Sequence, residues 1–159
     1  MHNILNIITR QAVLGDAPEI ARVHIASWKM AYKGLIHQSY LDDGLDLVER
    51  IQAWTENLQP QEAEDSPTYV ALVGDDIIGF VRVGSARDVA MDGFMEVYTI
   101  YTLSEYFACG VGSMLFDQSS SYFQSIDCEK LYVWVLKDNL RGRQFYERMG
   151  GVLKRDCEK

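Results

Sequence analysis

Apolar positions recur along this chain in two rhythms, one of period two and one near 3.6, and their order predicts layered helices and sheet. Asn6–Val13 reads as a first strand. Asp16-Ala17-Pro18-Glu19 opens a helix, with Asp16 as N-cap, proline in the first turn and a glutamate three residues after the cap. Behind it Ile20, His24, Trp28, Ala31 and Leu35 return at helical spacing, so one stripe faces the core, and Gly34 marks the helix end. A second helix runs from about Asp46 to Leu58, with Leu47, Ile51, Trp54 and Leu58 on one face. Pro60–Pro67, with Glu62, Glu64 and Asp65, reads as a loop.

Thr68–Val73 and Ile77–Val83 flank Gly74-Asp75-Asp76, the pattern of a β-hairpin. A strand over Phe94–Leu103 follows, then a helix from Val111 to about Ser125. Leu131–Leu136 is a further strand, Leu140–Met149 a short helix ended by Gly150-Gly151, and a last strand begins at Val152. The predicted order is β-α-α-β-β-β-α-β-α-β, a single α/β domain of layered α+β type over residues 1–159.

Composition narrows the function classes. A chain of 159 residues suits one domain that buries about 70 % of its unfolded surface. No 18-residue apolar run exists, and Met1–Ile8 lacks the basic and apolar regions of a signal peptide, so the expectation is a cytoplasmic protein without a membrane partner. The net charge of −8 argues against nucleic acid, which needs clustered lysine and arginine. An acidic surface attracts cationic amines, and it also serves solubility alone. Cys109, Cys128 and Cys157 share no metal-ligand spacing, so no metal is expected and the thiols read as free.

The most informative stretch is Glu96–Gly112. A β-branched and aromatic strand feeds a short polar turn, then Gly110-Val111-Gly112, then a helix. Such a turn gathers backbone N–H groups at the positive end of a helix dipole, where phosphate binds without a charged side chain. The hexapeptide Phe107-Ala108-Cys109-Gly110-Val111-Gly112 resembles the acyl-CoA loop of the GNAT superfamily of N-acetyltransferases, Gln/Arg-x-x-Gly-x-Gly/Ala after a strand. Phe107 departs from the pattern, and Cys109 stands where a basic residue is frequent. Trp28, Tyr32 and Gly34 resemble the Trp-x-x-x-Tyr-x-Gly helix of small bacterial members. Asn139, followed by Phe145-Tyr146-x-x-x-Gly150, is similar to a second family segment.

The resemblance spans nearly the whole chain and implies a mixed, mostly antiparallel sheet with helices on both faces. It implies acetyl-CoA as co-substrate, docked between the strands at 97–103 and 131–136, which splay apart. The pyrophosphate would lie on Phe107, Ala108, Cys109, Gly110, Val111, Gly112 and Ser113, chiefly on their backbone N–H groups. The pantetheine arm would run along Ile100, Tyr101 and Thr102, with Asn139 near the end of the second strand. Tyr146 resembles the family's general acid, also touching the cofactor, because a phenol can protonate a developing thiolate. Glu96 corresponds in offset to a general base, or else is a salt-bridged strand-end glutamate. His24 is a weaker base candidate, a lone histidine on an apolar stripe. Trp28, Tyr32 and Tyr40 would line the pocket of a small-molecule amine acceptor.

Two function classes follow: an N-acetyltransferase of a small amine (or peptide), and an acyl-CoA-binding sensor of the same fold without turnover. A dinucleotide-binding domain does not fit, since the third glycine of G-x-G-x-x-G would fall at Leu115. Only Val152–Lys159 follow the last glycine turn, enough for about one short strand. The 131–136 strand would then be an edge, and a homodimer through residues 131–136 or 152–158 is the expected cover.

Overall fold

The computed structural model describes residues 6–32, 46–128, 130–135 and 138–151, with backbone only at 31 and 32. Gly34, Leu35, Tyr40, Leu136, the side chain of Tyr32, and the strand and interface expected from Val152 lie outside the described residues. The elements run β1 (Ile7–Gln11), α1 (Ala17–Tyr32), α2 (Leu47–Asn57), α3 (Pro60–Asp65), β2 (Thr68–Val73), β3 (Asp76–Ser85), β4 (Met95–Thr102), α4 (Val111–Ser125), β5 (Leu131–Tyr132) and α5 (Leu140–Arg148). The sheet order is β1-β2-β3-β4-β5, antiparallel except where β5 joins β4 in parallel.

Helices cover both faces, as the resemblance implied. Ile20, Ala21 and Val23 of α1 and Trp54 of α2 pack on Val70, Leu72 and Phe80 on one face. On the other, Val111, Leu115 and Phe123 of α4 pack on Ala71, Val81, Val83 and Val97. Gly79 lets α4 lie this close, because a Cβ there would meet Tyr101 carbonyl oxygen at 2.9 Å and Val111 and Leu115 beyond it.

Three local expectations are corrected. A 3-10 turn over Leu14–Asp16 precedes α1, so Asp16 is not the N-cap; its carboxylate reaches back to the Val13 N–H at 2.8 Å and pairs with Arg10 at 2.7 Å. Pro60–Asp65 is a short helix rather than a loop, since Pro60 starts it with a preset φ and Glu62 complements its dipole. The core stripe of α1 runs through Ala17, Ile20, Ala21, Val23 and Ser27, leaving Trp28 half-buried. Asp46 caps α2 by accepting from Val48 and Glu49 N–H.

Candidate active site

After two paired residues, β4 and the chain beyond β5 separate. Met95 and Glu96 pair with Leu131 and Tyr132, whereas Thr99–Thr102 pair only with β3, on their other side. Val133–Val135 leave the ladder, so over its described residues the expected strand 131–136 is paired only at the first two. The split opens a cavity of about 400 Å³, and among the described residues the β4 backbone has no strand partner on that side. Of the residues proposed to bind cofactor, Ile100, Tyr101, Thr102, Phe107, Ala108, Gly110, Val111, Gly112, Ser113, Asn139 and Tyr146 all line it.

Cys109 does not. Its side chain is exposed away from the cavity, and its N–H is already donated to the Tyr106 carbonyl at 3.2 Å. Gly110 takes φ +83° as the N-cap of α4, and Ala108 takes φ +65°, so the loop holds two left-handed residues within three positions. Val111, Gly112 and Ser113 line the cavity, and their N–H groups, the first of α4, meet no protein acceptor among the described residues. A Cβ on Gly110 would meet nothing within 4 Å, whereas one on Gly112 would strike the Phe145 ring at 2.9 Å. The first glycine therefore serves conformation and open space, the second the packing of α5 on α4.

Phe107 occupies the family's Gln/Arg position, yet a cation stands there in space. The Arg141 guanidinium, from the first turn of α5, lies 4.0 Å from the Phe107 ring centroid, and both line the cavity. Arg148, from the end of α5, lines it as well. No spacing in the sequence links residues 107 and 141, so only the fold reveals the pairing.

Asn139 caps α5, its Oδ1 accepting from Gly142 N–H at 3.1 Å. Tyr146 follows on the same helix, half-buried, its ring against Phe145 at 5.3 Å. Gly150, at φ +94°, turns the chain back so that Gly151 N–H bonds the Tyr146 carbonyl at 2.7 Å. Of the residues expected to line an acceptor pocket, Trp28 does not line this cavity, whereas Ser27 and Met30 of the same helix do.

Glu96 is salt-bridged, one of the two readings its position allowed. It is 1 % exposed and lines no part of the cavity. Its carboxylate accepts from Arg87 Nη2 at 2.6 Å, Arg87 Nε at 3.2 Å, the Arg87 N–H at 3.0 Å and the Tyr132 hydroxyl at 2.8 Å. Burial pushes its pKa up, but the Arg87 bonds together with that from Tyr132 outweigh burial and hold it below the ordinary carboxylate value. A carboxylate so satisfied is a poor proton acceptor; it ties β5 to β4 where the two diverge. A depressed folded pKa stabilises the fold above the unfolded value and ceases to do so as pH falls through the folded one. Glu96→Gln is accordingly expected to lower stability at pH 7 by on the order of 2 kcal/mol. In thermal unfolding the deficit should shrink below about pH 4; a deficit equal at every pH would overturn the ion-pair role.

His24 is held as a weak base. Trp54 Nε1–H donates to its Nδ1 at 3.0 Å, and burial, aided by Arg50, holds its pKa at about 4. The ring packs among Trp54, Phe80 and Tyr101.

A sheet split beside a glycine turn that opens a helix defines an acetyltransferase of the GNAT type, and comparison with known proteins agrees. The model of the Acetyltransferase (GNAT) family matches residues 27–151, and the chain belongs to that family. It is 27 % identical over 141 residues to the Bacillus subtilis protein named "Uncharacterized N-acetyltransferase YuaI", covering 84 % of this chain and 73 % of that one. It is 26 % identical over 145 residues to the "Probable N-acetyltransferase Rv2775" of Mycobacterium tuberculosis, covering 90 % and 78 %. The fold matches the PaiA N-acetyltransferase of Thermoplasma acidophilum, solved in complex with coenzyme A, with TM-score 0.74 and 18 % identity over 91 % of this chain and 89 % of that one. Among the described residues no helix is long and apolar enough to cross a membrane.

Proposed function

We propose that the protein is a cytoplasmic N-acetyltransferase that moves the acetyl group of acetyl-CoA to a primary amine of a small molecule. The observation that carries this is the split between β4 and β5, with the open N-terminus of α4 on one side and Tyr146 on the other. The residues present suit the donor. Free N–H groups of Val111 to Ser113 and the Arg141 and Arg148 side chains supply positive potential for a pyrophosphate, and the unpaired edge of Ile100–Thr102 suits an amide-bearing arm. Acetyl-CoA, when bound, supplies the acetyl group activated as a thioester.

The chain's own groups do the rest. Backbone N–H groups on the open edge of β4 polarise a carbonyl lying along it. Tyr146 holds its proton at the phenolic oxygen for the leaving thiolate. Glu96, turned inward, takes no proton from the acceptor, so the amine loses its proton to water or to the medium. The test is release of the CoA thiol with a panel of amines, beside calorimetry with CoA. Turnover with at least one amine is expected, and tight binding without any turnover would select the acyl-CoA sensor instead.

In the same proposal a second copy covers β5, whose outer side pairs with no described strand. Sedimentation at micromolar concentration is expected to give a dimer, and a clean monomer overturns that part.

A further inference from the structure

A second cavity of about 260 Å³ adjoins the first on the α1–α2 face of the sheet, and the two share Tyr98, Thr99 and Tyr101 as wall. Its lining is at odds with the net charge of −8. Arg50 of α2, Arg82 of β3 and Arg87 all face it, with Asn57 and His24, and among the described residues no carboxylate does. Arg87 is engaged by Glu96. Arg82 lies 3.7 Å from Glu62, a largely exposed carboxylate, which makes a weak pair. Among the described residues Arg50 has no acidic partner within salt-bridge distance.

The β4 backbone shapes this wall. The register shifts between Arg82 and Val83, so Tyr98 is a bulged residue and Thr99 sits directly across from Arg82. Arg82 Nε and Thr99 Oγ1 are both buried and neither has a hydrogen-bond partner among the described residues. Two unpaired buried polar atoms side by side, next to surplus positive charge, are costly unless something that accepts hydrogen bonds meets them. Burial and the neighbouring Arg87 already weigh against the charged form of Arg82, a strain that an anion would relieve. His24 adds a neutral donor, because its Nδ1 accepts from Trp54 and its proton therefore sits on Nε2.

We infer that the acceptor is an amine that also carries an oxyanion, a carboxylate or a phosphate, held by Arg82, Thr99 and Arg50. The guanidinium fork matches either group in two-point geometry. Binding there leaves the amine end directed over the shared wall of Tyr98 and Tyr101 toward the first cavity. The inference rests on the acetyltransferase reading above.

The test uses the full chain saturated with acetyl-CoA and four primary amines of matched length, ending in carboxylate, phosphate, carboxamide or quaternary ammonium. From CoA thiol release, kcat/KM for the better anionic amine is expected to exceed that for the carboxamide at least tenfold, and the carboxylate-to-phosphate ratio identifies the group. Arg50→Gln and Arg82→Gln should each raise KM for that amine tenfold or more, leaving acetyl-CoA KM within twofold and costing the carboxamide severalfold less than the anionic amine. If Arg82→Gln fails to fold, Arg50→Gln, from a partly exposed helix face, decides alone. Calorimetry of the same amines on the CoA-bound protein supplies a readout independent of turnover. Equal binding of carboxamide and anionic amines, or an anionic advantage that survives the variants, overturns the inference. Anion-selective binding lost in Arg50→Gln, with no acetyl transfer to any amine, would sustain the anion site alone and sink both the enzyme reading and the acceptor assignment.

Discussion

Gly110→Asp is expected to abolish acetyl-CoA binding, weakening it 100-fold or more, while leaving the fold intact. Gly110 adopts φ +83°, where a side chain costs about 1 kcal/mol, and aspartate is among the residues that tolerate it best. A Cβ there points into open space, so no core contact is lost. The new carboxylate, however, stands at the N-terminus of α4 and competes for the N–H groups of Val111 to Ser113. Repulsion of a pyrophosphate adds to that loss. Gly110→Ala, with the strain but no charge, should lose far less, and the difference between the two isolates the anion effect. Arg141→Gln gives a graded comparison, about 1–2 kcal/mol or roughly tenfold, which fades as salt rises. Calorimetry with CoA checks all three. If Gly110→Asp binds as tightly as the parent, the phosphates lie elsewhere.

The sequence made the layered order legible because the strands are β-branched and the helices carry clear apolar stripes. The α4 boundaries, Val111–Ser125, and the strand Thr68–Val73 agree to the residue. Its errors were errors of one dimension. Two prolines marked 60–67 as a break, although Pro60 at the first helical position begins α3 rather than preventing a helix. Gly112 looked like an approach for phosphate along the chain, and in space it makes room for Phe145. Phe107 looked like a lost basic residue until the fold brought Arg141 over it. Glu96 lay on the expected strand, but its partner Arg87 comes from the β3–β4 connection, which no pattern predicts. The arginines of the second cavity come from a helix, a strand and a loop, so net charge concealed them.

Tyr146→Phe is expected to cut kcat about 100-fold or more while KM for acetyl-CoA stays within twofold. The ring is held by contacts that the substitution preserves. It packs on Phe145 at 5.3 Å, and Phe145 in turn packs on Phe116 at 6.3 Å and against Gly112. The backbone is fixed independently, by the Gly151 N–H bond to the Tyr146 carbonyl at 2.7 Å. Losing only the hydroxyl removes a proton donor and leaves the wall of the cavity in place, which separates chemistry from binding. Tyr146→Ala would remove both, and its acetyl-CoA KM should rise where that of Tyr146→Phe does not. Steady-state rates of CoA thiol release, with unfolding temperatures as a control on folding, provide the comparison. If Tyr146→Phe turns over at the parent rate, the thiolate takes its proton from another group or from water, and Tyr146 is part of the wall alone.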